Sequence, residues 1–455
     1  MVESCMSNDT EQSRDILQDL MDAVNAGDMA LSTSLLEDLH PADIAHVLES
    51  TTSENREFIW PLLPPGSEGE ILLHLNDELR ASFISKMDAD TLRLAAENLD
   101  TDDLADIIPE MPLNVTQELL LTMEAHERER LRSVLAYSED TAGGLMDPDT
   151  IMVREDITLD VVLRYLRRRA EIPEGTDKLF VVDREDHYIG TLSLSRLLTS
   201  DPGVQVAEVM DKQIQAIPAE MPAQEVATMF ERHDLITAPV VDVENRLLGR
   251  ITIDDVVDVI RDSADHSFMS MAGLNEEEDM FAPVLSSTRR RSLWLGVNLL
   301  TALLASWVIG LFDTTIEKIV ALAVLMPIVA SMGGIAGSQT LTLTIRGMAL
   351  GLISKSNSRR LFLKELGVGV WNGLIWAIII AGVAGLWFNS LQLSLIISLA
   401  ITINLVVAAI AGATIPMLLE KLGADPALAG TVVLTTVTDV VGFFTFLGLA
   451  SLYLL

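Results

Sequence analysis

The stretch TTVTDVVGFF, residues 435–444, places a carboxylate, Asp439, inside a long apolar segment. From Ala427 to Leu455 the chain runs for 29 residues with Asp439 as its single charge. A run of this length can cross a bilayer as one helix, and Asp439 would then lie roughly 18 Å from its start, inside a ~30 Å hydrocarbon layer. A charged residue there costs about 2.5–3.5 kcal/mol, so it is expected to face a bundle interior or a water-filled path.

Two hydroxyl residues accompany this acid on the same helix face. Thr431, Thr435 and Asp439 recur every four residues and so form a polar stripe. We interpret this stripe as the wall of a cation pathway. The alternative is a protonated Asp439 that bonds to a neighbouring helix.

Three further apolar regions precede this segment. They are Leu293–Phe312, Ile319–Ile345 and Leu366–Leu419. The last is 54 residues long, too long for one crossing, and FNS at 388–390 offers a turn that divides it. The sequence therefore predicts five membrane helices, in a transmembrane domain over residues 289–455.

Positive charge is concentrated before the first predicted span and after the second. The residues concerned are Arg289–Arg291, Lys355, Arg359, Arg360 and Lys364. By the positive-inside rule these ends face the cytoplasm. This predicts a multi-pass membrane protein with a cytoplasmic N-terminus and the C-terminus outside.

Negative charge is concentrated in the other part of the chain. The net charge is −35, yet residues 286–455 hold 10 basic and 6 acidic residues, which leaves 21 basic and 60 acidic residues before them. An acidic surface argues against nucleic acid as a partner and suits cations. An enzyme is not expected, because the sequence has no Gly-rich phosphate loop, nucleophile–base pair or metal-binding His spacing.

The acidic part divides into a helical and a duplicated region. Residues 1–135 show short amphipathic patterns with a loose 12-residue repeat, which predicts a small superhelical stack. Further on, FVVDREDHYIGTLSLSRLL at 180–198 is echoed by PVVDVENRLLGRITIDDVV at 239–257. Each copy predicts a β-α-β-β-α order. This resembles a tandem pair of cystathionine-β-synthase (CBS) domains, which we expect at 137–200 and 201–262.

The CBS resemblance implies an adenine nucleotide, ATP, as a ligand. In that family a Thr or Ser followed three residues later by Asp holds the ribose and phosphates. The second copy has Thr252 and Asp255, whereas the first has Ser193 and Arg196. Nucleotide binding is thus expected at the second cleft.

An acidic helix is predicted after the CBS pair. Asp254, Asp258 and Asp262 would lie on one of its faces, where their mutual repulsion destabilises a helix unless a cation intervenes. The alternative is a solvated acidic face. The remainder of this connecting helix and a linker are expected at 263–288.

Four motifs resemble the MgtE family of bacterial magnesium channels. They are YSEDTAGGLM at 137–146, MGGIAGSQ at 332–339, GADPAL at 423–428 and TTVTDVVGFF at 435–444. The order of domains agrees: a superhelical α-helical N-domain, tandem α+β CBS domains, a connecting helix and five membrane helices. The resemblance implies a homodimer in membrane lipid, selective for Mg²⁺, with its pore on the two-fold axis and the connecting helix as a plug that closes the pore.

Site residues follow from the same resemblance. Asp439 would bind Mg²⁺ in the pore, with Thr431, Thr435 and Gly337 as pore-lining residues. The regulatory Mg²⁺ ligands would be Glu70, Asp102, Asp106, Asp234, Asp255, Asp258 and Asp425. The sequence departs from the family pattern at Ile335, Ser338 and Val432, positions that bear on cation selectivity.

Two other functions remain open at the level of sequence. One is a coupled carrier for another divalent cation such as Co²⁺ or Mn²⁺, with Asp439 as a proton site. All seven histidines lie before residue 286 and the only cysteine is Cys5, which disfavours soft metals. The other is a membrane-tethered nucleotide sensor without transport.

Overall fold

The computed structural model describes residues 16–454, apart from 97, 98, 170, 171, 174, 275–278 and 355. Cys5 and Lys355, and parts of the predicted 1–135 domain and 263–288 linker, lie outside the described residues. The chain forms two compact units. Unit 1 comprises Met1–Ala264 and Glu277–Pro283, and unit 2 comprises Asp265–Glu276 and Val284–Leu455.

Unit 1 starts with a series of short helices, as the sequence predicts. They are α1 (16–26), α2 (Met29–Glu37), α3 (Pro41–Glu49), α4 (Ser53–Ile59), α5 (Glu68–Leu73), α6 (Asp77–Lys86), α7 (Ala89–Ala96), α8 (Thr101–Ile107), α9 (Leu113–Thr122) and α10 (Ala125–Val134), with 3-10 turns at Trp60–Leu62 and Ile108–Glu110. Side-chain caps hold several starts: Asp28 accepts a hydrogen bond from the Leu31 N–H (3.1 Å) and Asn76 one from Leu79 (3.1 Å). Asp100 is the N-cap of α8, and Asp102 and Asp103 lie in its first turn.

The duplicated region of unit 1 contains two three-stranded sheets. The first copy is β1 (Met152–Arg154), α11 (Leu159–Arg169), β2 (Lys178–Val182), β3 (Tyr188–Ser193) and α12 (Leu194–Thr199), followed by α13 (Val206–Val209); the second is β4 (Ile217–Pro218), α14 (Ala223–His233), β5 (Thr237–Val241), β6 (Leu247–Thr252) and α15 (Ile253–Met271). In each sheet the first pair of strands is parallel and the second antiparallel. The predicted β-α-β-β-α order is confirmed.

The two copies are joined by a buried ion pair. The guanidinium of Arg250, on β6, donates to the Asp147 carboxylate (Nε–Oδ2 2.9 Å), and the backbones of the same two residues also bond. One apolar core continues from the short helices into the second copy, from Leu20 to Val256. The first copy has a core of its own around Leu179 and Leu192.

Unit 2 contains the long helices. They are α16 (Val284–Gly310), α18 (Ala321–Ala349), α19 (Ser358–Phe388), α20 (Leu391–Lys421) and α21 (Pro426–Leu454), with a short α17 (Asp313–Lys318) after the first. Among the described residues these five are long and apolar enough to cross a membrane, which confirms the predicted number. The predicted division at FNS is also confirmed, because Asn389 has a left-handed backbone (φ 49°) and Ser390 caps α20.

Candidate functional site

A groove in unit 2 brings α18 and α21 together around Asp439. It encloses about 820 Å³ and is open along one side. The polar side chains that line it are Ser331, Ser338, Gln339, Thr342, Arg346, Thr435 and Asp439. Thr435 and Asp439 of the predicted stripe therefore face hydroxyl and amide side chains of α18, and Ile335 and Ser338, where the sequence departs from the family pattern, line the same groove.

The carboxylate of Asp439 is half-buried and available to a ligand. In the described part of the chain it has no hydrogen-bond or ion-pair partner, so the bond to a neighbouring helix left open by the sequence is absent from this protomer. Thr435, one turn earlier, donates its hydroxyl to the Thr431 carbonyl (2.7 Å), so its oxygen can still accept from a water in the groove. Thr431 is half-buried and is not among the residues that line the groove.

Gly337 lies on another face of α18 from the groove. A Cβ at this position would come within 2.9 Å of the Leu434 side chain, and a Cβ on Gly412 would come within 2.7 Å of the Gly337 carbonyl oxygen. Gly337 therefore allows α18, α20 and α21 to approach closely, and in one protomer it does not line the groove as the resemblance implied. Helix α18 is unbroken through Pro327 and its glycines, and Gly333 and Gly337 lie at contacts with neighbouring helices.

Sequence reasoning missed Asn404, a fully buried amide on α20. Its Nδ2 donates to the Val329 carbonyl of α18 (2.9 Å), and its Oδ1 is buried without a hydrogen-bond partner. A Cβ on Gly333 would lie 2.2 Å from this amide and one on Gly442 2.7 Å from it. An asparagine in an apolar run can be flagged from sequence alone, but its two glycine neighbours, 71 and 38 residues away, cannot.

A cluster of acids occupies unit 1 where α8 approaches the start of α15. Burial raises the pKa of Asp102 to about 8, and repulsion from Asp147 and Asp103 contributes. Burial likewise raises the pKa of Asp255 to about 7 and that of Asp103 to about 6. The Oδ1 atom of Asp102 is buried without a hydrogen-bond partner. Crowded carboxylates with an unused buried oxygen are the oxygen-rich surroundings that Mg²⁺ prefers.

The other predicted regulatory acids of unit 1 lie at different places. Asp106, also on α8, has its pKa raised to about 7, mainly by desolvation, and Asp103 repels it. Glu70 is exposed on α5, and its charge contributes to the raised pKa of Asp103. Asp234 is exposed at the left-handed C-terminal cap of α14. The structure thus joins Asp102, Asp106, Asp255 and Glu70 electrostatically but does not bring Asp234 to them.

Helix α15 carries the predicted acidic face, with a cation on the same helix. Arg261 pairs with Asp258 (3.1 Å) and with Asp262 (3.4 Å). An exposed ion pair within α15 therefore reduces the repulsion that we expected between these two acids, and a bound cation is not needed for this.

The last regulatory acid, Asp425, begins α21 in unit 2. Its carboxylate accepts hydrogen bonds from the backbone N–H groups of Ala427 (2.8 Å) and Leu428 (3.2 Å). His266, at the end of α15 that belongs to unit 2, approaches the same carboxylate (Nε2–Oδ2 3.3 Å). Asp425 therefore ties the start of α21 to α15.

The two CBS copies differ at the position predicted to hold nucleotide. Thr252 donates its hydroxyl to the Asp255 carboxylate (2.9 Å), which keeps both side chains at the end of β6. In the first copy Ser193 instead caps α12 by accepting from the Arg196 N–H (3.3 Å), and the Arg196 side chain bonds to the Val209 carbonyl (3.0 Å). The acid expected for ribose recognition is present only in the second copy.

A second feature that sequence reasoning missed is an ion pair in unit 1. Arg56, on α4, binds the Asp279 carboxylate through two nitrogens (2.6 and 2.8 Å), and both side chains are about 5 % exposed. The two residues are 223 positions apart, so no local pattern could have found them. The pair fixes the segment that follows α15 to the short helices.

These observations define a class of protein: a helical membrane transport protein for cations that carries a tandem CBS module. The family model for divalent cation transporters of the MgtE type matches residues 326–449, that for the MgtE intracellular N domain matches 39–140, and the CBS model matches 142–203 and 206–262.

Relatives agree over most of the chain. It is 32 % identical to the magnesium transporter MgtE of Thermus thermophilus over 96 % of this chain and 98 % of that protein. It is 27 % identical to the magnesium transporter MgtE of Bacillus subtilis over 92 % of this chain and 93 % of that one. The chain belongs to the MgtE family of magnesium transporters and is a transporter rather than an enzyme.

One solved structure resembles the part before the membrane helices. It is the cytosolic domain of the Mg²⁺ channel MgtE in complex with ATP, 34 % identical, with a TM-score of 0.48, covering 53 % of this chain and 99 % of that one.

Proposed function

We propose that this protein is a Mg²⁺-selective channel of the cytoplasmic membrane, in which Asp439 from two protomers binds hydrated Mg²⁺ across a dimer axis. The groove supports this proposal, because an open surface that carries a carboxylate without a partner among the described residues, beside hydroxyl and amide side chains, is incomplete in one protomer. A second copy related by a two-fold axis would present the same surface and close the path.

The chemistry of the groove suits an ion that keeps its water. Mg²⁺ holds an octahedral shell at about 2.0–2.1 Å and prefers one or two carboxylates with the remaining ligands water. Two Asp439 carboxylates supply the charge, while Ser338, Gln339 and Thr342 can accept from or donate to the waters of the ion. None of the described side chains that line the groove is a Cys or His, which disfavours softer metals.

The decisive experiment is Mg²⁺ uptake into magnesium-starved cells by Asp439→Asn. We expect uptake to fall to the background of cells without the protein, whereas Asp313→Asn, an exposed acid in α17, retains it. Normal uptake by Asp439→Asn would contradict the proposal. Uptake that requires a proton gradient would instead favour the coupled carrier.

Gating is proposed to depend on the acids of the regulatory set. In this mechanism cytosolic Mg²⁺ binds to acids of unit 1, which are Glu70, Asp102, Asp106, Asp234 and Asp255. It also binds to Asp258 on α15 and to Asp425, which lies against α15. Helix α15 then closes the pore. The raised pKa values near Asp102 and Asp255 support this, since a divalent ion would relieve the crowding that now favours protons.

Patch-clamp recording at high cytosolic Mg²⁺ tests the gating. We expect Asp255→Asn and Asp258→Asn to leave channels open where the unmodified protein is closed. Asp160→Asn is the matched control, because Asp160 is an exposed helical acid that pairs with Arg164 on its own helix, as Asp258 does with Arg261. Closure of the Asp255→Asn and Asp258→Asn variants at the normal Mg²⁺ concentration would rule out this mechanism.

ATP is proposed to bind at the second CBS copy, where Thr252 and Asp255 lie together. Equilibrium binding of a fluorescent ATP analogue should be lost in Thr252→Val and retained in Ser193→Ala. Equal loss in both variants would contradict this assignment.

A further inference from the structure

A second cavity in unit 2 lies where α18 ends and α19 begins, beside the connection that joins them. It encloses about 500 Å³. Its basic lining residues are Arg346, Arg360 and Lys364, and its apolar walls include Leu343, Leu350 and Leu361. No acidic side chain is among the described residues that line it.

Two of the three basic groups are available to an anion. Arg346 and Arg360 are exposed and have no hydrogen-bond or ion-pair partner within the described ranges. Lys364 already pairs with Glu365 (2.6 Å), a carboxylate buried in the helix bundle that also accepts from Thr340 (3.3 Å). Lys364 therefore belongs to the wall of the cavity, and Arg346 and Arg360 carry its unbalanced positive charge.

The apolar walls select the kind of anion. Leu350, at the C-terminal cap of α18, is 45 % exposed and Leu361, on α19, is half-buried, and both helices are long and apolar enough to cross the membrane. A small inorganic anion would gain nothing from these surfaces, whereas an amphiphile would place its phosphate on the arginines and its chains along the leucines. The cavity thus matches an anionic phospholipid at the membrane interface.

We propose that this cavity is a binding site for the headgroup of an anionic phospholipid. Arg346 and Arg360 hold the phosphate, and Leu350 and Leu361 contact the first part of the acyl chains. Arg346 also lines the groove that contains Asp439. A lipid phosphate on Arg346 would offset the positive charge that this residue places beside the proposed Mg²⁺ path, so the lipid would favour cation entry.

The test measures lipid binding directly and does not depend on transport. Full-length protein in neutral detergent is titrated with phosphatidylglycerol or phosphatidylcholine, and bound lipid is counted by native mass spectrometry. We expect phosphatidylglycerol to bind at least tenfold more tightly than phosphatidylcholine. Arg360→Gln should weaken phosphatidylglycerol binding about fivefold, since one basic residue near a lipid surface contributes that factor.

Arg359→Gln is the matched control, because Arg359 is the exposed neighbour of Arg360 and does not line the cavity. Its affinity for phosphatidylglycerol should stay within twofold of the unmodified protein. Equal weakening by the two variants, or equal binding of both lipids, would overturn the proposal. Displacement of phosphatidylglycerol by millimolar inorganic phosphate would assign the cavity to a free anion and would also overturn it.

Discussion

Unit 1 gathers its carboxylates into a cluster, whereas unit 2 presents a single carboxylate in an open groove between close-packed helices. In unit 1, burial raises the pKa values of Asp102, Asp103 and Asp255, and repulsion from neighbouring acids raises each of them further. In unit 2, Gly337 and Gly412 let helices meet, and Asp439 stands apart on the groove surface.

This difference indicates a division of labour. A crowded cluster changes its energy steeply when protons or cations bind, so the stability of unit 1 should respond to both. Helix packing through small residues involves no charge, so the part of the stability of unit 2 that comes from this packing should respond to neither. Sensing would then use crowded carboxylates, whereas permeation would use a single carboxylate in an open groove. The following experiments test that contrast.

The largest effect is expected from Arg56→Leu. Removal of the guanidinium deprives the buried Asp279 carboxylate of its bidentate partner, which costs about 3–5 kcal/mol. Hydrogen exchange should report this loss of protection in α3 and α4, with α18–α21 unchanged. Arg184→Leu is the control, since its pair with Asp156 is 78 % and 50 % exposed and contributes about 0–1 kcal/mol. Equal loss of protection in the two variants would show that the buried pair contributes no more to stability than the exposed pair.

Next in size is the effect of Mg²⁺ and pH on unit 1. The pKa of Asp102 is raised to about 8 and that of Asp255 to about 7, so between pH 4 and 8 the folded state holds protons that the unfolded chain releases. Without Mg²⁺, the free energy of unfolding of unit 1 therefore falls as pH rises from 5 to 8. Because Mg²⁺ competes with those protons, it should add about 2–3 kcal/mol at pH 8 and clearly less at pH 5.5.

Calorimetry of the full chain in detergent, at both pH values with and without Mg²⁺, checks this. The transition of unit 2, which presents a single carboxylate in its groove, should move less than that of unit 1. An Mg²⁺ effect of the same size at both pH values would contradict competition with protons.

A smaller loss is expected from Gly412→Ala in unit 2. The new Cβ would lie 2.7 Å from the Gly337 carbonyl oxygen, and because that atom belongs to a helix backbone, α18 and α20 must separate, at a cost of about 1–3 kcal/mol. Gly382→Ala is the control, since no atom lies within 4 Å of its Cβ position. Thermal unfolding in detergent should be lowered only by Gly412→Ala, equally with and without Mg²⁺. A loss of Tm that depends on Mg²⁺ would contradict the proposed difference between the two units.

The smallest expected effect is a gain in the stability of unit 1. Asp102→Asn removes a carboxylate that burial and repulsion disfavour at pH 8, so Mg²⁺-free unit 1 should gain about 1 kcal/mol, or about 2–4 °C in Tm. The same variant should lose part of the stabilisation by Mg²⁺. Asp90→Asn, an exposed acid of α7, should change neither. A lowered Tm for Asp102→Asn would indicate that this carboxylate is already paired.

Features that depend on local pattern could be predicted from the sequence. The five long helices follow from the length of the apolar segments, and the β-α-β-β-α order follows from an internal duplication. Helix periodicity predicts that Thr435 and Asp439 share one helix face. Each depends on residues close in sequence, where the geometry of a single element decides which side chains share a face.

Features that depend on distant contacts could not be predicted. The Arg56–Asp279 pair and the Asn404 contact with Gly333 need the tertiary fold before either residue has any significance. Gly337 shows the same limit, because a glycine in a membrane helix serves a cavity or a contact equally well until its neighbours are known.

Arg261 has a consequence for the way in which α15 would respond to its ligand. Since this residue already offsets one of the two charges of Asp258 and Asp262, we expect the segment to keep its hydrogen-bonded backbone when the divalent ion departs. Release of the ion would then move α15 as a rigid helix and would not unfold it. Such a switch incurs no refolding delay, so its speed would be set by diffusion and hinge motion alone.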